Sequence, residues 1–469
     1  MKFKSMIQDE KINRALDILG YETMTPVQEE VLPILFAKRD CLVQSKTGSG
    51  KTASYALPII YDLEIDQKDP QALVLVPTRE LALQIKESFD QLGVYKKIKT
   101  LAIFGKQPFQ FQKEDLNQRC HVVIGTPGRI LDHLEQGTLR VDSLKYLVLD
   151  EADEMLNMNF FDIITEIVSY LPKERVTCLC SATMGKNIER LASGILRCPQ
   201  KVSVETKKNG IDSFFYLVAY MDKLDALAMV LEKETPLSCM IFANTREEVD
   251  RIYAFLESYS CSVAKIHGAM KQEDRLACMK KFKQGKKRIL VSTDVSARGI
   301  DVDKVDLIIN YEVANTPAIY THRIGRTARM HETGKVYNFV TYREQIKLKE
   351  IEENLSLSFD VQNLEIQRDH DLSKLMNAGP LKKDVTKDLR KDIYKLYFNG
   401  GKNKKIRPGD LVGAICSIDG VSFEDIGVIQ VQDHQSYVDI LNGKGKLVLK
   451  ALQRCTIKNK KLRVQRAKN

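Results

Sequence analysis

No run of about 18 consecutive apolar residues occurs anywhere in the 469-residue chain, which excludes a membrane-spanning helix. The N-terminus, Met1-Lys2-Phe3-Lys4-Ser5, leads directly into a polar amphipathic segment and lacks the apolar centre of a secretory signal. Ten cysteines stand singly or as Cys178-x-Cys180, never in C-x₂-C pairs. That spacing argues against structural zinc and for reduced thiols in a cytoplasm. Short-period repeats and low-complexity tracts are missing too, so a solenoid is not expected. From Lys444 to Asn469 there are ten Lys/Arg and no acid at all.

With 43% apolar and 29% charged residues, the composition is that of a soluble globular protein, long enough for two to four domains. Its net charge of +10 is unevenly placed. Residues 391–469 hold sixteen Lys/Arg against seven Asp/Glu, so the remainder is nearly neutral. A one-signed segment on a balanced chain points to a polyanionic partner.

The stretch Ser45-Lys46-Thr47-Gly48-Ser49-Gly50-Lys51-Thr52 follows a short apolar run, Cys41-Leu42-Val43, and precedes a helix-compatible one. A strand, a glycine loop and a helix let backbone N–H groups wrap a polyphosphate at Ser49 and Gly50. Lys51 then reaches the terminal phosphates, and Thr52 offers a hydroxyl to Mg²⁺. Asp150-Glu151-Ala152-Asp153 follows a buried-strand pattern, Tyr146-Leu147-Val148-Leu149. Asp150 is thereby set at a strand's carboxyl end, where metal ligands of nucleotide sites lie. Its neighbour Glu151 is the carboxylate to orient and deprotonate an attacking water. Together the two motifs imply hydrolysis of a nucleoside triphosphate.

Strand patterns alternate with amphipathic helices over the first ~205 residues and again over ~212–370, which implies two parallel sheets covered by helices. The boundaries expected are 1–207 and 208–370 for two such domains, 371–390 for a polar linker, and 391–469 for a basic tail domain. A polar junction ending in Asn209-Gly210 is the hinge candidate.

Further motifs follow in order: Gln28 after Thr25-Pro26-Val27, Pro77-Thr78-Arg79-Glu80-Leu81, Thr126-Pro127-Gly128-Arg129 and Ser181-Ala182-Thr183. The second half adds Gln272-x-x-Arg275, Ser292-Thr293-Asp294-x-x-Ala297-Arg298-Gly299-Ile300-Asp301, and His322-Arg323-Ile324-Gly325-Arg326-x-x-Arg329. The set resembles the DEAD-box RNA helicases over residues ~1–370, and so implies two tandem RecA-like domains that use ATP and Mg²⁺. On that resemblance Gln28 reads the adenine edge, Phe3 stacks on the base and Asp301 holds the ribose, although Phe3 precedes Gln28 by a longer gap than the family's. Arg79, Thr126, Arg129, Gln272 and Thr293 match positions that grip the RNA backbone. Arg326 and Arg329, far from the glycine loop in sequence, reach a γ-phosphate only if the two lobes close. Ser181 and Thr183 are positioned to hydrogen-bond Asp153. Three departures stand out: Ser45 for the usual Ala, Lys106 for the second of two glycines, and Ala328 for the Gly before Arg329.

In the tail the order of elements, βαββαβ, suits a small RNA-recognition-motif (RRM-like) domain displaying Tyr397 and Tyr437, with Lys404, Lys405 and Arg407 among its basic contacts. The run Lys395-Leu396-Tyr397-Phe398-Asn399-Gly400-Gly401, with Asn442-Gly443-Lys444-Gly445, resembles the tail signature of DbpA-type helicases. What that resemblance implies is a monomeric cytoplasmic RNA helicase tethered to a 23S ribosomal RNA hairpin in pre-50S particles. An ATP-gated RNA clamp without productive unwinding is the alternative.

Overall fold

The computed structural model describes residues 1–45, 48–204, 210–294, 305–327, 334–377, 393–453 and 455–467. In the first lobe seven strands form one parallel sheet: β1 (Cys41–Gln44), β2 (Ala72–Leu75), β3 (Thr100–Ile103), β4 (Val122–Gly125), β5 (Tyr146–Leu149), β6 (Val176–Ser181) and β7 (Gln200–Ser203). Their spatial order is β3-β4-β2-β5-β6-β1-β7. Side chains alternate between the two faces. Cys41, Val43, Val74 and Val148 enter one buried cluster, while Leu42, Leu73, Leu75 and Leu147 enter another on the opposite side. A sheet buried on both faces needs such unbroken apolar strands, which is why these segments were visible in the sequence.

The order matters for function. Strand β6 pairs with both β1 and β5. The glycine loop after β1, Asp150 after β5 and Ser181 ending β6 therefore emerge side by side at the carboxyl edge, where open α/β sheets bind ligands.

The second lobe repeats the architecture with β8 (Ile211–Leu217), β9 (Cys239–Ala243), β10 (Val263–Ile266), β11 (Ile289–Thr293), β12 (Leu307–Asn310), β13 (Gly334–Val340) and β14 (Val361–Asn363). These are also all parallel, in the order β10-β11-β9-β12-β13-β8-β14. The chain stays on this lobe past residue 371. Leu372 and Leu375 are buried in its core, and Ser262 N donates to Leu375 O at 2.8 Å. Most of the expected linker, and residues 205–209 of the expected hinge, lie outside the described residues.

The tail domain is a four-stranded antiparallel sheet, β16-β17-β15-β18, made of β15 (Tyr394–Phe398), β16 (Ile426–Val431), β17 (Ser436–Ile440) and β18 (Val464–Arg466). The helices Pro408–Cys416 and Gly445–Leu452 cover one face, and Leu396, Phe398, Leu411, Val438 and Val448 fill the space between. This is the expected βαββαβ order. Tyr397 and Tyr437 stand opposite each other in register on the other face, edge to face with centroids 5.7 Å apart.

Candidate nucleotide and RNA site

Positive φ at Gly48 (79°) and Gly50 (94°) turns the chain from β1 into the helix Lys51–Asp62. A Cβ on Gly50 would meet the Gln28 amide nitrogen at 2.6 Å, so both backbone freedom and space demand glycine there. The Gln28 carboxamide is bonded at both ends, accepting from Thr25 N at 2.8 Å and donating to Gly50 O at 3.2 Å. Thr25 Oγ1 donates to Ser49 O at 2.8 Å. The departure at Ser45 is accommodated by a 2.6 Å bond between its hydroxyl and that of Ser49. Lys51 is buried, its ammonium donating to Ser45 O at 2.7 Å inside the loop. Lys46 and Thr47 lie outside the described residues. Phe3 is fully buried, edge-on to Tyr21 with centroids 5.8 Å apart, so it offers no open ring face. A bridge between Lys2 and Thr23 nevertheless draws its segment beside the Thr25–Gln28 turn, across the long gap in sequence.

Asp150 is buried, accepting from Tyr55 Oη at 2.8 Å and from Glu151 N at 2.9 Å. Burial raises its pKa, against the opposing pull of Lys51. Glu151 sits in the left-handed region (φ 52°), which swings its carboxylate out of the strand direction. Its pKa is pushed up to about 6 by desolvation and by Asp150, opposed by Arg326, His322 and Lys51. Asp153 gathers the next loop. Its Oδ2 accepts from Ala182 N (3.2 Å), Thr183 N (3.0 Å) and Thr183 Oγ1 (3.0 Å). Thr183 thus makes the expected bond, whereas Ser181 Oγ donates to the Thr183 carbonyl at 2.6 Å.

The second lobe reaches this edge. His322 Nδ1 lies 3.0 Å from Glu154 Oε1, and Arg326 is close enough to act on Glu151. Across the neighbouring stretch Gln272 Nε2 donates to Glu80 Oε1 at 2.9 Å, and Arg275 Nη2 lies 2.9 Å from the same oxygen. Arg329, Ala328 and Asp301 lie outside the described residues. Thr293 ends β11 and is nearly buried.

Arg79 opens the helix Arg79–Leu92. Its guanidinium is held below its ordinary range by desolvation, and Arg275 and Arg129 push the same way against Glu80. Arg79, Arg129 and Arg275 thus form one positive cluster fed by both lobes. Arg129 is aimed by Gln107 O and Gln112 Oε1, each at 3.0 Å, and Thr126 stands at the N-terminal cap position of its helix without a side-chain capping bond. Lys106 adopts φ 67°, the left-handed conformation that glycine would take there without strain. In the tail, Lys404 Nζ donates to Asn399 O at 2.8 Å, Lys405 has φ 56°, and Arg407 precedes the helix Pro408–Cys416.

This geometry coincides with three family models: the DEAD/DEAH box helicase over residues 25–191, the helicase conserved C-terminal domain over 222–331, and the DbpA RNA binding domain over 395–466. The ATP-dependent RNA helicase DbpA of Bacillus subtilis (strain 168) is 46% identical over 477 residues, covering 99% of each chain. Its Escherichia coli (strain K12) namesake is 35% identical, covering 96% of each. This chain belongs to the DEAD-box RNA helicases of the DbpA type. It is accordingly an RNA-dependent ATPase and RNA helicase, with a nucleotide and RNA as its ligands. S. cerevisiae Dbp5 bound to RNA and ADP BeF3 is similar over 77% of this chain and 95% of its own, with a TM-score of 0.70 and 27% identity.

The roles of several residues escaped sequence reasoning. Arg323 is fully buried, gripping Asp294 through two bonds (2.6 and 2.8 Å) and also bonding Asn310, Glu312 O and Asn244. Removing one partner of such a buried pair costs about 3–5 kcal/mol, which makes this arginine an organiser of its loop rather than a phosphate ligand. Tyr55 and Glu154 were missed because each looks like an ordinary helix residue until the strand order brings the loops together. Glu80 had a signal, lying next to Arg79 in the same motif. No described helix is long and apolar enough to cross a membrane.

Proposed function

We propose that this helicase unwinds short RNA duplexes locally while residues 391–469 tether it to a 23S ribosomal RNA hairpin in pre-50S particles, working as a cytoplasmic monomer. One observation carries the reading: groups of both lobes converge on the same two places, Glu80 with Gln272 and Arg275, and Glu151 with Arg326. The tail's match to an RNA-binding family model supports tethering, and the ribosomal target is what the tail signature's resemblance implies.

Thr52 and Asp150 fit Mg²⁺, a hard cation held by one or two carboxylates together with substrate phosphates. A buried carboxylate whose pKa is raised by desolvation is a group that a divalent ion would compensate. Held there, the ion would supply positive charge to offset that of the substrate phosphates. Lys51, Ser49 and Gly50 cradle those phosphates. Glu151 accepts a proton from the attacking water as the water's oxygen bonds to the γ-phosphorus and the bond to ADP breaks. Arg326, with Arg329, stabilises charge on the transferring group. Closure on Arg79, Thr126, Arg129, Gln272 and Thr293 holds one strand by its backbone and releases the partner. Gln28 and Asp301 supply base and ribose contacts, and Phe3 supports the base-binding turn.

The test is ATPase stimulation by a 23S ribosomal RNA fragment, by unrelated RNA and by DNA. Stronger stimulation by the 23S fragment is expected, and equal stimulation by DNA would overturn the reading. A strand-release assay, with Lys51→Ala and Glu151→Gln as controls, separates a helicase from an ATP-gated clamp.

A further inference from the structure

The tail domain rests on a part of the first lobe that carries none of the helicase motifs. Ala15, Tyr95 and Leu441 form a small buried cluster between them. Around it Lys11 pairs with Glu424 at 3.2 Å, Arg14 donates to Asn442 at 2.8 Å, and Lys97 donates to Phe423 O at 2.9 Å while lying 4.1 Å from that ring's centre. Beside this contact the two domains enclose a cleft of about 660 Å³. Seven Lys/Arg line it against two carboxylates, Asp66 and Glu424. The first lobe contributes Lys11, Lys96, Lys97, Lys99 and Arg119, and the tail contributes Lys402 and Arg407.

The first-lobe wall is built rather than casual. His121 accepts from Lys99 N at Nδ1 (2.8 Å) and therefore carries its proton on Nε2, which faces Ile65 O at 3.0 Å. Burial, with Arg119 and Lys99, holds that imidazole below its ordinary pKa against the pull of the Ile65 carbonyl, and its bond to Lys99 N pins the residue that leads into β3. The contact partners of Lys97 and Lys99 are neutral, a carbonyl with an aromatic face and the Gln118 amide. Both ammonium groups are held low by desolvation. Across the domain boundary Lys402 pushes Lys99 the same way, while Asp115 and Cys120 offset part of it; Lys97 is instead drawn upward by Glu424 and Asp425 of the tail. The cleft therefore keeps a surplus of positive charge, seven Lys/Arg against two carboxylates, with the apolar side chain of Val412 in its lining. A polyanion with apolar faces balances that surplus, and an RNA strand is such a molecule.

We propose that this cleft is a composite RNA site, in which RNA held by the tail continues onto Lys97, Lys99 and Arg119 of the first lobe through its phosphodiester backbone. The proposal rests on the tail's being an RNA-binding domain and extends it to first-lobe residues outside the helicase motifs. Backbone contacts fix orientation, not sequence, so the cleft sets the angle at which tethered RNA is delivered to the helicase core.

The full-length chain is titrated with a fluorescent 23S hairpin fragment carrying a single-stranded flank, over a salt series. For Lys99→Glu/Arg119→Glu the expected result is affinity weakened by roughly 10-fold or more. The slope of log K against log salt should fall by about 1.4, two single-strand phosphate contacts. Lys99→Arg/Arg119→Lys keeps the slope. Arg119, whose side chain is half exposed, is changed alone if the pair does not fold. Wild-type affinity and slope in the Glu pair, with Lys402→Glu/Arg407→Glu weakened, would overturn the shared cleft and leave the tail's role standing. Unchanged binding in both pairs would remove the tail reading, and this proposal with it.

Discussion

Gln272 of the second lobe donates to Glu80 of the first at 2.9 Å, and Arg275, one turn further along the same helix, reaches the same carboxylate oxygen. Glu80 is flanked by Arg79, which is itself near Arg129 and Arg275. One carboxylate therefore balances an arginine cluster drawn from both lobes, at the proposed RNA-backbone grip. Glu80→Gln keeps the size and removes the charge. A charged hydrogen bond of this kind is worth about 1.5–3 kcal/mol, so the RNA concentration for half-maximal ATPase should rise roughly 10-fold or more. ATP binding without RNA should not change. An unaltered RNA dependence would show that the contact has no part in closure.

The parallel sheets were legible because fully buried strands leave apolar runs such as Val122-Val123-Ile124 and Leu147-Val148-Leu149. The strands that escaped lie at sheet edges or beside them. β7 buries only Val202 of its four residues, and β8 only Phe215 of its seven. β3 and β14 are likewise edge strands, half solvated and short. In the site, the motif residues could be found by spacing, but their partners could not. Tyr55 meets Asp150 only because the helix after β1 runs back past the end of β5, and His322 meets Glu154 only across two lobes. Those pairings depend on strand order and closure, which no local pattern encodes.

Glu151, with its pKa at about 6, acts as a base only when deprotonated. The kcat/KM for ATP should therefore be flat at neutral pH and fall tenfold per unit below about pH 6. Arg326 lowers this pKa, so Arg326→Ala should move the inflection to higher pH in addition to slowing the reaction. Glu151→Gln should abolish the inflection and cost about 10²–10⁴ in rate. A profile still bending near pH 6 in the glutamine variant would assign the proton to another group.

Deleting residues 391–469 removes the basic module and uncovers Ala15 and Tyr95, whose buried cluster it completes. That apolar contact is small, with three buried residues, and the first lobe's own cores lie apart from it. The truncated chain should fold, hydrolyse ATP at saturating generic RNA, and lose its preference for the 23S fragment. Retained preference in competition binding would place site recognition in the helicase core.

Arg323 and Arg326 stand three residues apart and should fail differently. Arg323 spends its whole fork inside the second lobe, on Asp294, Asn310, Asn244 and the Glu312 carbonyl. Lysine has one ammonium and no fork, so Arg323→Lys leaves buried acceptors unmatched and should lower the second lobe's stability by about 3–5 kcal/mol. Arg326 instead acts across the cleft on Glu151. An arginine delivered to a transferring phosphoryl group is worth about 10³–10⁵ in rate. Arg326→Ala should therefore collapse RNA-stimulated turnover while the melting temperature moves much less than for Arg323→Lys. Melting curves and single-turnover hydrolysis on the two variants decide the matter. If Arg326→Ala instead melted early and turned over normally at low temperature, its role would be structural, and the proposed source of transition-state charge would have to be sought elsewhere.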